Sequence, residues 1–149
     1  GERYNVVPGK AEITGMNRAF TDYCRKAMPK WMEKMIKGTC EAYGCEYDFK
    51  YDFICSSTTN EETSAILAKE AVGKLIGQEN IINLGKIMGS EDFSEYVAKV
   101  PGALMLLGGR NEEKNCCYSH HSNFFNVDED ALPIGASSYA QVALDFLNK

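Results

Sequence analysis

Two adjacent histidines, His120 and His121, are the only ones in the chain. They sit in Tyr118-Ser119-His120-His121-Ser122-Asn123-Phe124-Phe125-Asn126-Val127-Asp128-Glu129-Asp130-Ala131-Leu132. Imidazole and carboxylate are the donors a zinc-like ion takes, so this stretch is the first place to look for metal chemistry. A catalytic zinc normally needs three protein ligands. Asp128, Glu129 and Asp130 could supply oxygens, and they could equally be the acidic first turn of a helix, where the dipole favours them. On residue types alone the helix start is the stronger reading.

Met88-Gly89-Ser90-Glu91-Asp92-Phe93-Ser94 is the second candidate. It reads as a capped helix start with two acids, or as a backbone turn facing a substrate with Glu91 as a polar contact in the cleft. Arg18 is either a solvated charge at a strand end or a fork for a carboxylate. Asn5, beside the first turn, is open between turn residue and ligand contact. Other schemes do worse. The sequence has no GxSxG elbow and no P-loop, and Gly108-Gly109 makes no dinucleotide fingerprint. Cys116 or Cys117 with His120 would be a nucleophile pair without special geometric merit, a few residues apart on one loop.

The elements that must position these groups alternate between strand and helix. Val6 and Val7 precede a Pro8-Gly9 turn, and Ala11, Ile13 and Gly15 alternate with Glu12 and Thr14 as in a half-buried strand. A helix follows, capped by Thr21 or Asp22. Pro29 predicts a short first turn and a main helix from about Lys30, with Trp31, Met35, Ile36 and Ala42 on one face and Gly44 as the stop. Residues 46–53 alternate polar and aromatic, which predicts a strand with one wet face. The polar, small-residue stretch 55–60 is the candidate domain boundary.

Beyond it, 61–76 predicts an amphipathic helix ending at Gly77, with Ile66, Leu67, Ala71, Leu75 and Ile76 facing inward. Ser90 is placed to cap a short helix through Val97. Ala103-Leu104-Met105-Leu106-Leu107, between Pro101-Gly102 and Gly108-Gly109, suits a strand buried on both faces. Residues 130–147 predict a final helix with Pro133 in its first turn. The alternation indicates α/β packing.

The chain has 149 residues, 44% hydrophobic and 25% charged, which is globular and not disordered composition. A net charge of -5 gives no electrostatic reason to expect nucleic acid or an anionic membrane, and no apolar run is long enough to span one. The opening Gly1-Glu2-Arg3-Tyr4 reads as the start of an excised or processed segment. Six cysteines (Cys24, Cys40, Cys45, Cys55, Cys116, Cys117) lack a CxxC repeat, which argues against a zinc knuckle. They read as reduced thiols of a cytoplasmic protein, with secretion and disulfides left open.

Taken in order, these segments resemble the aminoacylase and carboxypeptidase family of two-metal amidohydrolases, in its hippurate hydrolase and indole-acetyl-amino-acid hydrolase branch. Asn5-Val6-Val7-Pro8 with Gly15 and Arg18 is similar to the family's NVIP…GxxR segment. Residues 88–94 resemble its MGGEDFS motif, Pro101-Gly102-Ala103 through Leu107-Gly108 its PGAxxxLG strand, and 121–132 its HSPxFDxDExAL segment. Together they cover nearly the whole chain. Asn123 and Asn126 depart from the usual proline and aspartate, and Met16-Asn17 from the usual pair before Arg18, which bears on substrate preference more than on fold.

The resemblance implies that this is the C-terminal half of the enzyme. Residues 1–56 would be the second half of a ferredoxin-like lid domain that also dimerises. Residues 57–149 would be the C-terminal part of a zinc-exopeptidase-like α/β catalytic domain. It implies two divalent metal ions (zinc, manganese, cobalt or nickel) that bridge a water, lower its pKa and polarise the scissile amide. His121 would be the one metal ligand in this segment, with His120 a neighbour only. Asn5 and Arg18 would hold the substrate carboxylate, the arginine through both oxygens, and Glu91 would line the cleft.

No catalytic acid or base of the family falls in this segment. The implied substrate is a small N-acyl amino acid or peptide, and the implied assembly is a homodimer through the lid. The alternative is that the segment by itself is a non-catalytic folding or dimerisation module, because one histidine cannot build a two-metal site. Half of each sheet would expose strand edges, so the segment is expected to dimerise or to require its missing half.

Overall fold

Thr21 stops the irregular N-terminal stretch and starts the first helix: its hydroxyl accepts a hydrogen bond from the Cys24 N–H at 3.2 Å. The computed structural model describes residues 3–148, which form two compact units, one ending at Phe49 and the other beginning at Lys50.

In the first unit, α1 (Asp22–Tyr43) ends at Gly44 in the left-handed conformation (φ 65°), as the sequence leads one to expect. It does not restart at Pro29. The helix runs through the proline, which can donate no hydrogen bond to the preceding turn. Nor is the Trp31–Met35 face an inner one. No described residue of this unit is buried, and Tyr23, Met35 and Tyr43 stand wide open.

In the second unit, α2 (Glu62–Ile76) begins one residue after its cap. The Glu61 carboxylate accepts from the Thr63 and Ser64 N–H groups at 2.9 and 2.7 Å and from the Ser64 hydroxyl at 2.7 Å. These bonds hold its pKa down at about 2, the Ser64 hydroxyl contributing most. The buried residues are Ala68, Ala71 and Val72; of the expected inner face, Ala71 is buried and Leu67 and Ile76 are half-buried, whereas Ile66 and Leu75 are exposed. Small side chains win here because α2 packs against α4 (Ala131–Leu147), and alanines let the two axes approach. Lys74 Nζ reaches Asp145 at 2.8 Å across this pair. Pro133 lies in the first turn of α4, as expected. A short 3-10 turn, Gln78–Asn80, follows α2.

The short helix α3 is confined to Ser94–Val97 and starts three residues later than the Ser90 cap implies. Glu91 explains this: its carboxylate accepts from the Phe93 N–H at 3.2 Å, which closes a local turn over 91–93 in place of a helical first turn.

The expected strands at 11–15, 46–53 and 103–107 are not strands, and the only sheet-type pairing among the described residues is an isolated antiparallel bridge, Asn111 to Cys116. A strand is completed by a neighbour's backbone, and alternation in one segment supplies faces without supplying that neighbour. The run 103–107 is the clearest case. It carries the composition of a doubly buried strand, yet Met105, Leu106 and Leu107 are exposed. Its backbone is tied at its start, through Gly102 to Glu61 N and Leu104 to the Asn60 side chain. All six cysteines are free thiols.

Candidate functional site

The first unit holds Asn5 and Arg18. Asn5 lies in a turn closed by the Val6 N–H donating to the Arg3 carbonyl at 3.3 Å. Arg18 is exposed and its guanidinium touches Met16 Sδ at 3.6 Å.

The second unit holds Glu91 and His121, and they serve separate loops. Glu91 is exposed. Besides closing its own turn, it offers its backbone carbonyl to the Thr58 hydroxyl at 3.4 Å. Residues 91–93 form a turn directly ahead of α3, in place of a helix capped at Ser90.

His121 is exposed and has φ 65°, one of two described non-glycine residues with positive φ. That conformation costs a non-glycine residue about 1–2 kcal/mol, so something around it must hold it there. Inside the loop, the Phe125 N–H donates to the Ser122 carbonyl at 3.0 Å and the Phe124 N–H to the Ser122 hydroxyl at 3.1 Å. The His120 ring packs on Phe125 with centroids 4.9 Å apart, and Tyr118 packs on Phe124 at 5.6 Å. His120 is thereby engaged with an aromatic neighbour.

The three acids after the loop are not gathered around either imidazole. Lys114 Nζ donates to Asp128 Oδ1 at 2.7 Å and also to Asp130, and Asn111 Nδ2 donates to Asp128 Oδ2 at 2.6 Å. Lys114 and then Asn111 hold the Asp128 carboxyl down at about 2, while the two carboxylates push the Lys114 ammonium up. Asp130 sits at the N-cap of α4 without capping it through its side chain. Asp128 and Asp130 thus form an ion-paired anchor directly before α4, and none of the three acids lies in that helix's first turn. No sequence signal points to Lys114, which is separated from Asp128 by an aromatic loop of no periodicity.

Among the described residues no three His, Cys, Asp or Glu side chains come close enough to hold a metal ion. His121, exposed, offers such an ion a single imidazole donor. No helix is long and apolar enough to cross a membrane among the described residues.

Residues 4–145 match the peptidase family M20/M25/M40. Thermostable carboxypeptidase 1 of Saccharolobus solfataricus is 34% identical over 151 residues, covering 100% of this chain and 37% of that protein. IAA-amino acid hydrolase ILR1-like 4 of Arabidopsis thaliana is 32% identical over 153 residues, covering 99% and 34%. N-acetylcysteine deacetylase of Bacillus subtilis is 31% identical over 144 residues, covering 97% and 36%. The chain thus spans little more than a third of the length of these curated relatives.

Proposed function

The chain belongs to peptidase family M20/M25/M40, and from that premise we propose that it is a segment of a metal-dependent amidohydrolase acting on N-acyl amino acids or peptide-like amides beside a free carboxylate. The observation that carries this is the match over residues 4–145, with relatives named as a carboxypeptidase, an amino acid conjugate hydrolase and an N-acyl deacetylase. Those three names have one bond in common, an amide to an amino acid.

Family membership implies an α/β peptidase-like fold for the whole protein. In this reading residues 1–56 belong to the lid and dimerisation domain and residues 57–149 to the catalytic domain. His121 donates one ligand, and its exposed ring on a constrained backbone supports that role. A divalent metal pair, when bound, supplies Lewis-acid activation of water and of the amide carbonyl. Asn5 and Arg18 bind the substrate carboxylate, since a guanidinium offers two parallel donors to it. Glu91 lines the cleft. The remaining ligands and the general base come from outside this segment, so the 149-residue chain alone is inert. On its own the piece would then be a folding or dimerisation module.

Hydrolysis of N-acetyl and N-benzoyl amino acids, with added zinc, manganese or cobalt and a chelator control, tests both statements. The expected result is no turnover by the chain alone and chelator-sensitive turnover once the preceding part of the parent enzyme is supplied. Chelator-sensitive turnover by the chain alone would refute the divided site. Turnover lost to thiol alkylation but indifferent to chelators would refute the metal.

A further inference from the structure

The loop 117–127 that carries His121 has both feet on one residue. On one side, Asn111 and Cys116 exchange backbone hydrogen bonds of 2.9 and 2.7 Å in their antiparallel bridge. On the other, the Asn111 side chain donates to Asp128 at 2.6 Å. The turn between Asn111 and Cys116 is tight, with Asn115 at φ 57°, and it places Lys114 where its ammonium reaches Asp128 at 2.7 Å and Asp130 as well. A third tie runs through the backbone, from the Asp128 N–H to the Gly109 carbonyl at 2.9 Å. The feet are in close contact there: a Cβ on Gly109 would lie 3.1 Å from Val127 Cβ.

We propose that Lys114, acting with Asn111, is a positioning residue for His121: it locks the two ends of the loop together so that the imidazole is presented in one backbone conformation. The inference rests on the reading of His121 as a metal ligand, and it adds the device that holds that ligand. The physical need is specific. Within the loop, the Ser122 N–H donates to the Ser119 carbonyl at 3.3 Å and closes a turn with His121 at its third position, where a positive φ is at home. With the base open, this turn, the bonds to Ser122 and the two ring contacts would hold the imidazole alone. Lys114 suits the task because one ammonium carries three donors and can span two carboxylates. Asp128 is shielded, its side chain only 14% exposed, so the pair is not a freely solvated surface bridge.

The test uses the full-length parent enzyme and three variants, Lys114→Met, Lys114→Arg and His121→Ala. Amide hydrogen exchange over 117–127 is followed against α2 and α4, and zinc affinity is measured by competition with a chelating dye. Lys114→Met is expected to raise exchange in the loop about tenfold or more with α2 and α4 unchanged, and to weaken zinc binding roughly 10–100-fold, the range for residues that orient a ligand. Lys114→Arg keeps the charge and is expected to restore most of both. Should Lys114→Met unfold the protein, Asn111→Ala removes the neutral half of the same anchor and is read identically. Unchanged loop exchange in the folded variant overturns the anchor. Raised exchange with undiminished zinc affinity overturns the positioning role, provided His121→Ala does weaken binding. If His121→Ala leaves zinc affinity intact, the ligand reading itself has failed, and the positioning role falls with it.

Discussion

The side-chain amide of Asn60 bonds the backbone of Leu104 at both ends: Nδ2 donates to the Leu104 carbonyl at 2.9 Å, and the Leu104 N–H donates to Oδ1 at 2.8 Å. An asparagine amide has the same donor and acceptor as a peptide group, so Asn60 acts as one residue of a neighbouring strand. The next residue adds a true backbone bond, Glu61 N–H to the Gly102 carbonyl at 2.9 Å. The apolar run after Pro101 is thereby docked beside the start of α2.

Replacing Asn60 with alanine removes both bonds and leaves the half-buried Leu104 amide and carbonyl unpaired. The expected loss is about 1–3 kcal/mol, the penalty for orphaning partly buried polar groups. Asn60→Asp keeps the acceptor but sets a negative charge against the Leu104 carbonyl, and should cost at least as much. Urea unfolding followed by circular dichroism reads both, and midpoints equal to wild type would show that the docking contributes nothing.

The Glu61 cap gives a pH dependence with a definite sign. Its carboxyl is held at about 2 by the Ser64 and Thr63 donors, below its unfolded value of about 4.3. A depressed carboxylate contributes stability that is fully present above the unfolded pKa and is lost as pH falls through the folded one. Wild type should therefore exceed Glu61→Gln in stability near neutrality, and the two should converge on acidification from about pH 4 towards pH 2. A stability difference that does not vary with pH would mean that the charge of the cap plays no part.

Ligand assignment between the two histidines separates cleanly in the parent enzyme. The His120 ring is packed on Phe125, so His120→Ala should leave metal retention within severalfold of wild type. His121→Ala should lower it by more than the roughly 10–100-fold that residues behind a ligand usually cost. Dialysis against a graded chelator series followed by metal analysis distinguishes them. Equal losses, or the reverse order, would reassign the ligand.

The helices were legible in the sequence because each carries its own signal: Thr21 and Gly44 frame α1, Gly77 stops α2, and Pro133 sits in the first turn of α4. Those signals act over a few residues and need no partner. Pro29 misled because a proline weakens a helix without ending it. The strands failed for the opposite reason. The alternation at 46–53 and the apolar run at 103–107 specify faces, and pairing depends on backbone supplied from elsewhere. At the site, the composition of 118–132 marks the loop but cannot show that Asp128 and Asp130 turn to Lys114. That pairing crosses a loop without periodicity, and only its folded geometry reveals it.

The exposed face of α1 predicts how the isolated chain behaves. Tyr23 and Met35 are each 74% exposed, Trp31 is 43% exposed, and the first unit buries none of its described residues. Helices in proteins draw most of their stability from an apolar face that is covered, and this one has no cover of its own. The chain alone should therefore self-associate in light scattering, with apparent mass rising with concentration. Trp31 is the only tryptophan, so its fluorescence reports on this face directly. Acrylamide should quench it readily in the dilute chain and less once the preceding part of the parent is supplied. A concentration-independent monomer that unfolds cooperatively would show that the face needs no partner. Quenching that is unchanged by the supplied part would place the cover on some other surface.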